Sequence, residues 1–332
     1  MGEGSCISSH VATILSHPVP SSSHIFNRRI IEASFSLRDF GGDMNNPAED
    51  SIRIARAYMD SLQVESRLLG AEEPSSAFEF LGETFSTPIM TAALSHIDLK
   101  GMAEGAVLAG AAVSIGMGDN ETMRGVLDTG AKVMKIVKPY ANRNDIRDRI
   151  RFAEANGAIA VGIDVEHSIH ADDPEPDNVF GLQMKLPSLS ELWEFIRTTK
   201  LPFFIKGALS VQDAVKCVEL GCAGVILSHH NGIMRCAVPP VRLLPKIREA
   251  VGHKLILIAD GGIESGFDAF KALALGADAV TVGRPLMEPL KERGPAGVRD
   301  VIETMTKQLQ VMMYRTASRD LKHIDPTVIW ER

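Results

Sequence analysis

Short apolar runs punctuate the chain from residue 88 to residue 283, and each is followed by a helix-length segment with apolar positions on one face. The runs occupy residues 88–93, 111–115, 132–136, 159–164, 202–206, 223–228, 254–259 and 278–283. They do not alternate apolar with polar. Near-continuous apolar character is the mark of parallel strands covered by helices on one side and packed into a core on the other. Gly110, Gly130, Gly157, Gly221 and Gly276 fall where helices should close, and glycine accepts the left-handed backbone that closes them. Eight strand–helix units joined by right-handed crossovers predict an α/β fold, the (β/α)8 TIM barrel. An open doubly wound sheet would need a glycine-rich turn after its first strand, and residues 91–96 read TAALSH.

Outside the rhythm, residues 1–45 are rich in Ser, Gly and His and read as a loosely structured N-terminal arm, leaving residues 46–332 as the barrel domain. A helical pattern covers 47–69, with Ile52, Ile54, Ala57 and Leu62 on its apolar side. The longest inter-strand connection, 165–186, follows the fourth run; loops of that length are usually functional or mobile. An additional C-terminal helix is expected near 296–315, with Met305, Met312 and Met313 as packing residues.

Composition narrows the function classes. Hydrophobic residues make up 45% of the 332, enough for a large core, and the net charge of -7 offers nucleic acid no electrostatic footing. No run of about 18 apolar residues predicts a membrane span. The N-terminus lacks a basic segment leading into an apolar one, and its Met-Gly start has Cys6 where myristoylation needs Ser or Thr. Cys6, Cys217, Cys222 and Cys236 form no CxxC pair, which suits a reducing, cytoplasmic setting.

Barrel chemistry belongs at the C-terminal strand ends. Asp260-Gly261-Gly262 after the seventh run and Gly283-Arg284 after the eighth leave backbone N–H groups open to a phosphate, with a guanidinium to reinforce them. Lys206 ends the fifth strand, PFFIK, where its ammonium must face a cleft or suffer burial. Ser228-His229-His230 ends the sixth, and a histidine there can accept a proton near neutral pH. His96, after the first strand, is a second acid–base candidate. Glu166, His167, His170, Asp172 and Asp173 match no standard metal spacing and read as a polar, mobile lid, so no metal is expected.

Lys206-Gly207, Ser228-His229-His230, Asp260-Gly261-Gly262-Ile263, residues 271–277 (KALALGA) and Gly283-Arg284-Pro285 resemble the FMN-dependent 2-hydroxy-acid oxidases and dehydrogenases, which include glycolate and lactate oxidases and mandelate dehydrogenases. The likeness is dense over 200–290 and thinner over 60–200. It implies FMN as cofactor and His230 as the base. It puts Lys206 beside flavin N1 and Ser228 and Gly232 at the ring. Asp260, Gly261, Gly262, Gly283 and Arg284 would hold the ribityl and phosphate groups, and Ala92 and Ala93 would run along the flavin. It also implies a homo-oligomer, tetramer or octamer.

Four departures stand out. Ile233 replaces the Arg that binds the substrate carboxylate, Glu264 replaces an Arg, Val137 stands where a Tyr is usual, and Gly162 replaces a Thr. Tyr140 and Arg235 lie close enough to be substrate residues. A lost carboxylate clamp points away from a simple 2-hydroxy acid and towards an alcohol, an amine or a larger intermediate. The resemblance leaves two other functions open: isomerisation of isopentenyl diphosphate by reduced flavin, and flavin binding without catalysis.

Overall fold

The structure is a computed structural model that describes residues 50–169, 175–179, 181–230 and 232–332. All eight anticipated strands form: β1 (Ile89–Thr91), β2 (Val113–Ile115), β3 (Val133–Val137), β4 (Ala160–Asp164), β5 (Phe203–Lys206), β6 (Gly224–Leu227), β7 (Ile256–Asp260) and β8 (Ala279–Val282). From β2 to β8 each strand pairs in parallel with the next in sequence, and β8 pairs with β1. Between β1 and β2 the ring is joined by a bridge from Leu94 to Ile115, and the Thr91 hydroxyl bonds both the N–H and the C=O of Ser114. This is a (β/α)8 barrel.

The first helix, α1 (Ser51–Ser61), precedes the barrel; Asp50 caps it by accepting from the N–H groups of Ile52 and Arg53. The helical pattern anticipated over 47–69 is shorter than expected, because the chain turns at Leu62 into a strand, Leu62–Val64, that pairs with the C-terminal strand Ile329–Glu331. Between barrel strands run α2 (Leu99–Leu108), α3 (Asn120–Leu127), α4 (Arg143–Ala155), α5 (Leu189–Arg197), α6 (Val211–Leu220), α7 (Pro240–Val251) and α8 (Gly266–Ala274). The five glycines expected to close helices all have positive φ. After β8 come α9 (Arg284–Arg293) and the anticipated C-terminal helix α10 (Pro295–Arg315), in which Met305 and Met313 are buried. No helix among the described residues is long and apolar enough to cross a membrane. The expected N-terminal arm lies outside the described residues, as do His170, Asp172 and Asp173.

The two faces of each strand fill two cores. Outward residues such as Val133, Val137, Ile163 and Ile205 pack against the helices. Inward residues such as Met134, Ile136, Phe204, Ile226 and Ile258 fill the barrel, joined by Phe78, Phe80 and Phe85 of a hairpin just before β1. Phe204 sets the interior spacing. It lies in register with Gly162 on β4 and Gly224 on β6, and both neighbours lack a side chain where its ring and backbone pass. A Cβ on Gly224 would lie 2.4 Å from the Phe204 ring, and one on Gly162 would lie 2.6 Å from the Phe204 carbonyl. The glycine at 162 therefore answers to packing.

Gly224→Ala should lower stability by about 1–3 kcal/mol through overpacking, read as a lower urea midpoint at unchanged slope. Adding Phe204→Leu should recover part of that loss, and purely additive effects would refute the coupling.

Candidate functional site

Inward alternation carries four charged residues to the barrel mouth. Lys138 follows β3, Asp164 ends β4, Lys206 ends β5 and Asp260 ends β7. Asp164 is the hub. It accepts from the Lys138 ammonium at 2.9 Å, and its carboxylate lies 3.7 Å from Lys206 Nζ and 2.9 Å from His230 Nδ1. Lys206 also lies 3.7 Å from Asp260 and donates to Ser228 Oγ at 2.9 Å. Burial alone would raise the Asp164 pKa, but the Lys138 and Lys206 ammoniums hold it well below the usual carboxylate range. Burial pulls Lys206 down, yet Asp164 and Asp260 more than offset it, so it stays an ammonium inside the protein.

Val137, which stands where the resemblance would put a polar residue, points outward into the helix layer, and its successor Lys138 projects into the mouth. The strand offers a cation where the sequence suggested an apolar substitution. Tyr140 is 3% exposed and sits in the outer core, its ring 4.8 Å beneath the Arg149 guanidinium. Arg235 and His96 are exposed, the latter with a left-handed φ of 60°.

The reading of the 165–186 connection as a polar, mobile lid changes most. Its first turn, Glu166–Ser168, is built into the mouth. His167 Nε2 meets His230 Nε2 at 2.6 Å with the rings edge-on, and His167 Nδ1 meets Asp177 at 2.8 Å. Lys206 Nζ reaches His230 Nδ1 at 3.1 Å. Three of these contacts are met with both imidazoles neutral when Lys206 donates to His230 Nδ1, His230 Nε2–H donates to His167 Nε2 and His167 Nδ1–H donates to Asp177; the Asp164 carboxylate, 2.9 Å from His230 Nδ1, becomes a hydrogen-bond partner only when that nitrogen carries a proton. Burial lowers both histidines, and for His230 the neighbouring ammoniums lower it further, which agrees with neutral rings. Glu166 lies among the same charges with one carboxyl oxygen buried and unpaired, and burial pushes its pKa up to about 8. Donor atoms of Asp164, His167 and His230 lie within 4.8 Å of one another, a metal-like spacing, but two ammoniums on the same carboxylate oppose a further cation.

Beyond this cluster lies the proposed phosphate end. Gly261 and Gly262 have φ of 97° and 77°, and Gly283 leads directly into α9. A Cβ on Gly261 would lie 3.3 Å from the His229 ring, whose Nε2 is buried without a partner. Arg284 and Glu264 pair at 3.4 Å, so Glu264 stands beside the phosphate-site arginine. Helix α1 brings a second guanidinium there: Arg56 donates to the Gly262 carbonyl at 3.2 Å and forks onto Asp268 at 2.9 and 3.0 Å. Ala92 is buried on the strand beside Gly283, with its Cβ 3.4 Å from where a Gly283 Cβ would sit. Ile233 is half-buried in the turn after His230.

Sequence reasoning singled out Lys206, Ser228, His230 and Asp260, which the structure brings together. It missed Lys138, Asp164, Asp177 and Arg56, and it left Glu166 and His167 outside the site. The signal for Asp164 was present, since it ends an apolar strand as Lys206 does. Arg56 belongs to a helix some 200 positions away in sequence, and only the fold places it.

Residues 170–331 match the FMN-dependent dehydrogenase family. An L-lactate dehydrogenase of Caulobacter vibrioides is 40% identical over 134 residues, 40% of this chain and 35% of that protein. The human 2-hydroxyacid oxidase 1 is 40% identical over 148 residues, 43% and 40% of the two chains. A peroxisomal (S)-2-hydroxy-acid oxidase of Oryza sativa subsp. japonica is 36% identical over 208 residues, 58% and 54%. The matched stretch thus spans 35% to 54% of these relatives. A crystal structure of mandelate oxidase superposes with a TM-score of 0.78 over 88% of this chain and 92% of that one, at 22% identity, a likeness of fold. The C-terminal half of the chain is thus similar to FMN-dependent 2-hydroxy-acid oxidases and dehydrogenases.

Proposed function

We propose that the protein is an FMN-dependent oxidoreductase acting on a small molecule that carries an oxidisable C–H next to a hydroxyl or amino group. The observation that carries this reading is the buried Lys206 ammonium, held by Asp164, Asp260 and Ser228 beside His230, at the rim of a glycine-lined cradle.

The residues present fit FMN. Gly261, Gly262 and Gly283 leave the strand ends free of side chains, and the N–H groups at the start of α9 offer donors for a phosphate. Arg284 and Arg56 bring positive charge to that end, while His229 Nε2 is a buried nitrogen still without a partner. When bound, the flavin supplies a hydride acceptor. The protein's own groups do the rest. Lys206 would hold a fixed positive charge beside the bound ring system. Ser228 Oγ accepts from Lys206 and from the His230 N–H, fixing the turn that carries the imidazole. His230, with Nε2 turned into the mouth, is placed to exchange a proton with the substrate's heteroatom.

The substrate we favour is not a simple 2-hydroxy acid. No guanidinium stands at Ile233, and the two mouth ammoniums already face Asp164 and Asp260. A carboxylate entering there would find no unmatched positive charge. The proposal includes a homo-oligomer, by resemblance, and a cytoplasmic setting, from the cysteine pattern.

Purified protein should be yellow and release FMN identifiable by mass; colourless protein that refuses FMN would overturn the reading. Anaerobic bleaching of the bound flavin across a panel of alcohols, amines and hydroxy acids should find the substrate. Ordinary efficiency with glycolate, lactate or mandelate would refute the substrate inference while leaving the cofactor standing.

Glu166 supplies a pH test. It is neutral below about 8 and ionised above, where a new negative charge would face Lys206, Asp164, Asp260 and Lys138. Flavin reduction should therefore slow as pH rises through about 8. Glu166→Gln, which keeps the neutral form, should flatten that limb; an unchanged profile would exclude Glu166 as its cause.

A further inference from the structure

Lys206 occupies Nδ1 of His230, so Nε2 is the ring nitrogen left to meet a substrate. That nitrogen faces His167 Nε2 at 2.6 Å. Any heteroatom that meets His230 Nε2 must enter the slot between the two nitrogens, and so must touch His167 as well. Two contacts of about 2.8 Å to one oxygen or nitrogen require the rings to part by about 2 Å. His167 is carried on the short turn Glu166–Ser168, and it is backed by Asp177.

We propose that His167, held by Asp177, is the second acid–base residue of this site, and that it and His230 grip the reacting heteroatom of a neutral substrate, an alcohol or an amine. This rests on the flavin reading above and deepens it. The pair recognises a group that can donate and accept hydrogen bonds at one atom, as a hydroxyl or an amine does. A carboxylate only accepts, and two neutral imidazoles that pass a proton towards Asp177 offer it one donor at most.

The oriented hydrogen bonds give the slot a direction. The Lys206 ammonium stands at one end and the Asp177 carboxylate at the other. His230 Nε2–H donates to the heteroatom while the heteroatom's own proton passes to His167 Nε2, and the imidazolium formed there is stabilised by Asp177, 2.8 Å from Nδ1. His230 keeps its hydrogen bond to the same heteroatom and holds it in place. The guanidinium clamp that the sequence lacks becomes unnecessary, because the anchor lies at the reacting atom.

The test compares acid and amide pairs that differ only in charge: lactate with lactamide and mandelate with mandelamide. Each is mixed anaerobically with the flavin-loaded protein. The amide should bleach the flavin at least as fast as its acid, and His167→Phe should slow that bleaching by roughly 100-fold at unchanged flavin content. His167→Gln, whose carboxamide restores one hydrogen bond but no base, should recover KM more than kcat. An acid preferred by roughly tenfold or more, or His167→Phe behaving as wild type, overturns the proposal. If no member of either pair is oxidised, binding read from the flavin absorbance band decides: the amide should bind roughly tenfold more weakly to His167→Phe, and equal binding overturns the proposal.

A second measurement needs neither flavin nor substrate. In histidine-labelled protein, proton NMR should show a far-downfield His230 Nε2–H resonance that disappears in His167→Phe and weakens in Asp177→Asn. Its absence from wild type would refute the paired histidines even if the flavin binds; its presence in protein that refuses FMN would confine the failure to the cofactor reading.

Discussion

A buried carboxylate shared between two ammoniums organises the mouth of this barrel. Asp164 sits at the end of the fourth strand, 1% exposed, with Lys138 on one flank and Lys206 on the other. Neither lysine could stay charged at that depth without it, and it could not stay ionised without them. Each comes from a different strand, so the arrangement exists only because the closed sheet fixes three neighbouring strand ends in register. The histidines hang from this lattice. His230 is held by Lys206 and Asp164, His167 by His230, and Asp177 lies behind His167.

That dependence accounts for how much charge the mouth tolerates. Asp164, Asp177 and Asp260 face Lys138 and Lys206, and Glu166 is carried neutral near pH 7 because burial outweighs its attraction to Lys206. Such a site holds its charges in fixed positions before anything binds.

The fold was legible because barrel strands, buried on both faces, write themselves as apolar runs, and the runs were found to within a few residues. The site was legible where a charged residue broke such a run at its end, as at Lys206 and Asp260. It was misread where facing mattered. Val137 and Lys138 are adjacent, and only the pleat tells which one enters the barrel. Gly162 looked like a lost polar contact, but its register with Phe204 makes it the space that residue's carbonyl and the Ile136 side chain require. Glu166 and His167 looked like a solvated loop, since nothing in one chain's spacing reveals that a turn folds back over His230. Arg56 was invisible for the opposite reason, as its partners Asp268 and Gly262 belong to the far end of the sequence.

The bond between Arg56 and Asp268 has a further meaning. The carboxylate it grips sits in the first turn of α8, and that same carboxylate receives the Glu264 N–H and the Ser265 hydroxyl of the loop above. The glycine turn after the seventh strand is therefore braced from outside the barrel by a helix that precedes it. The nucleotide end of the site depends on a segment of chain that no barrel unit contains, so a fragment trimmed to the eight repeating units would keep its strands and lose the brace on that turn.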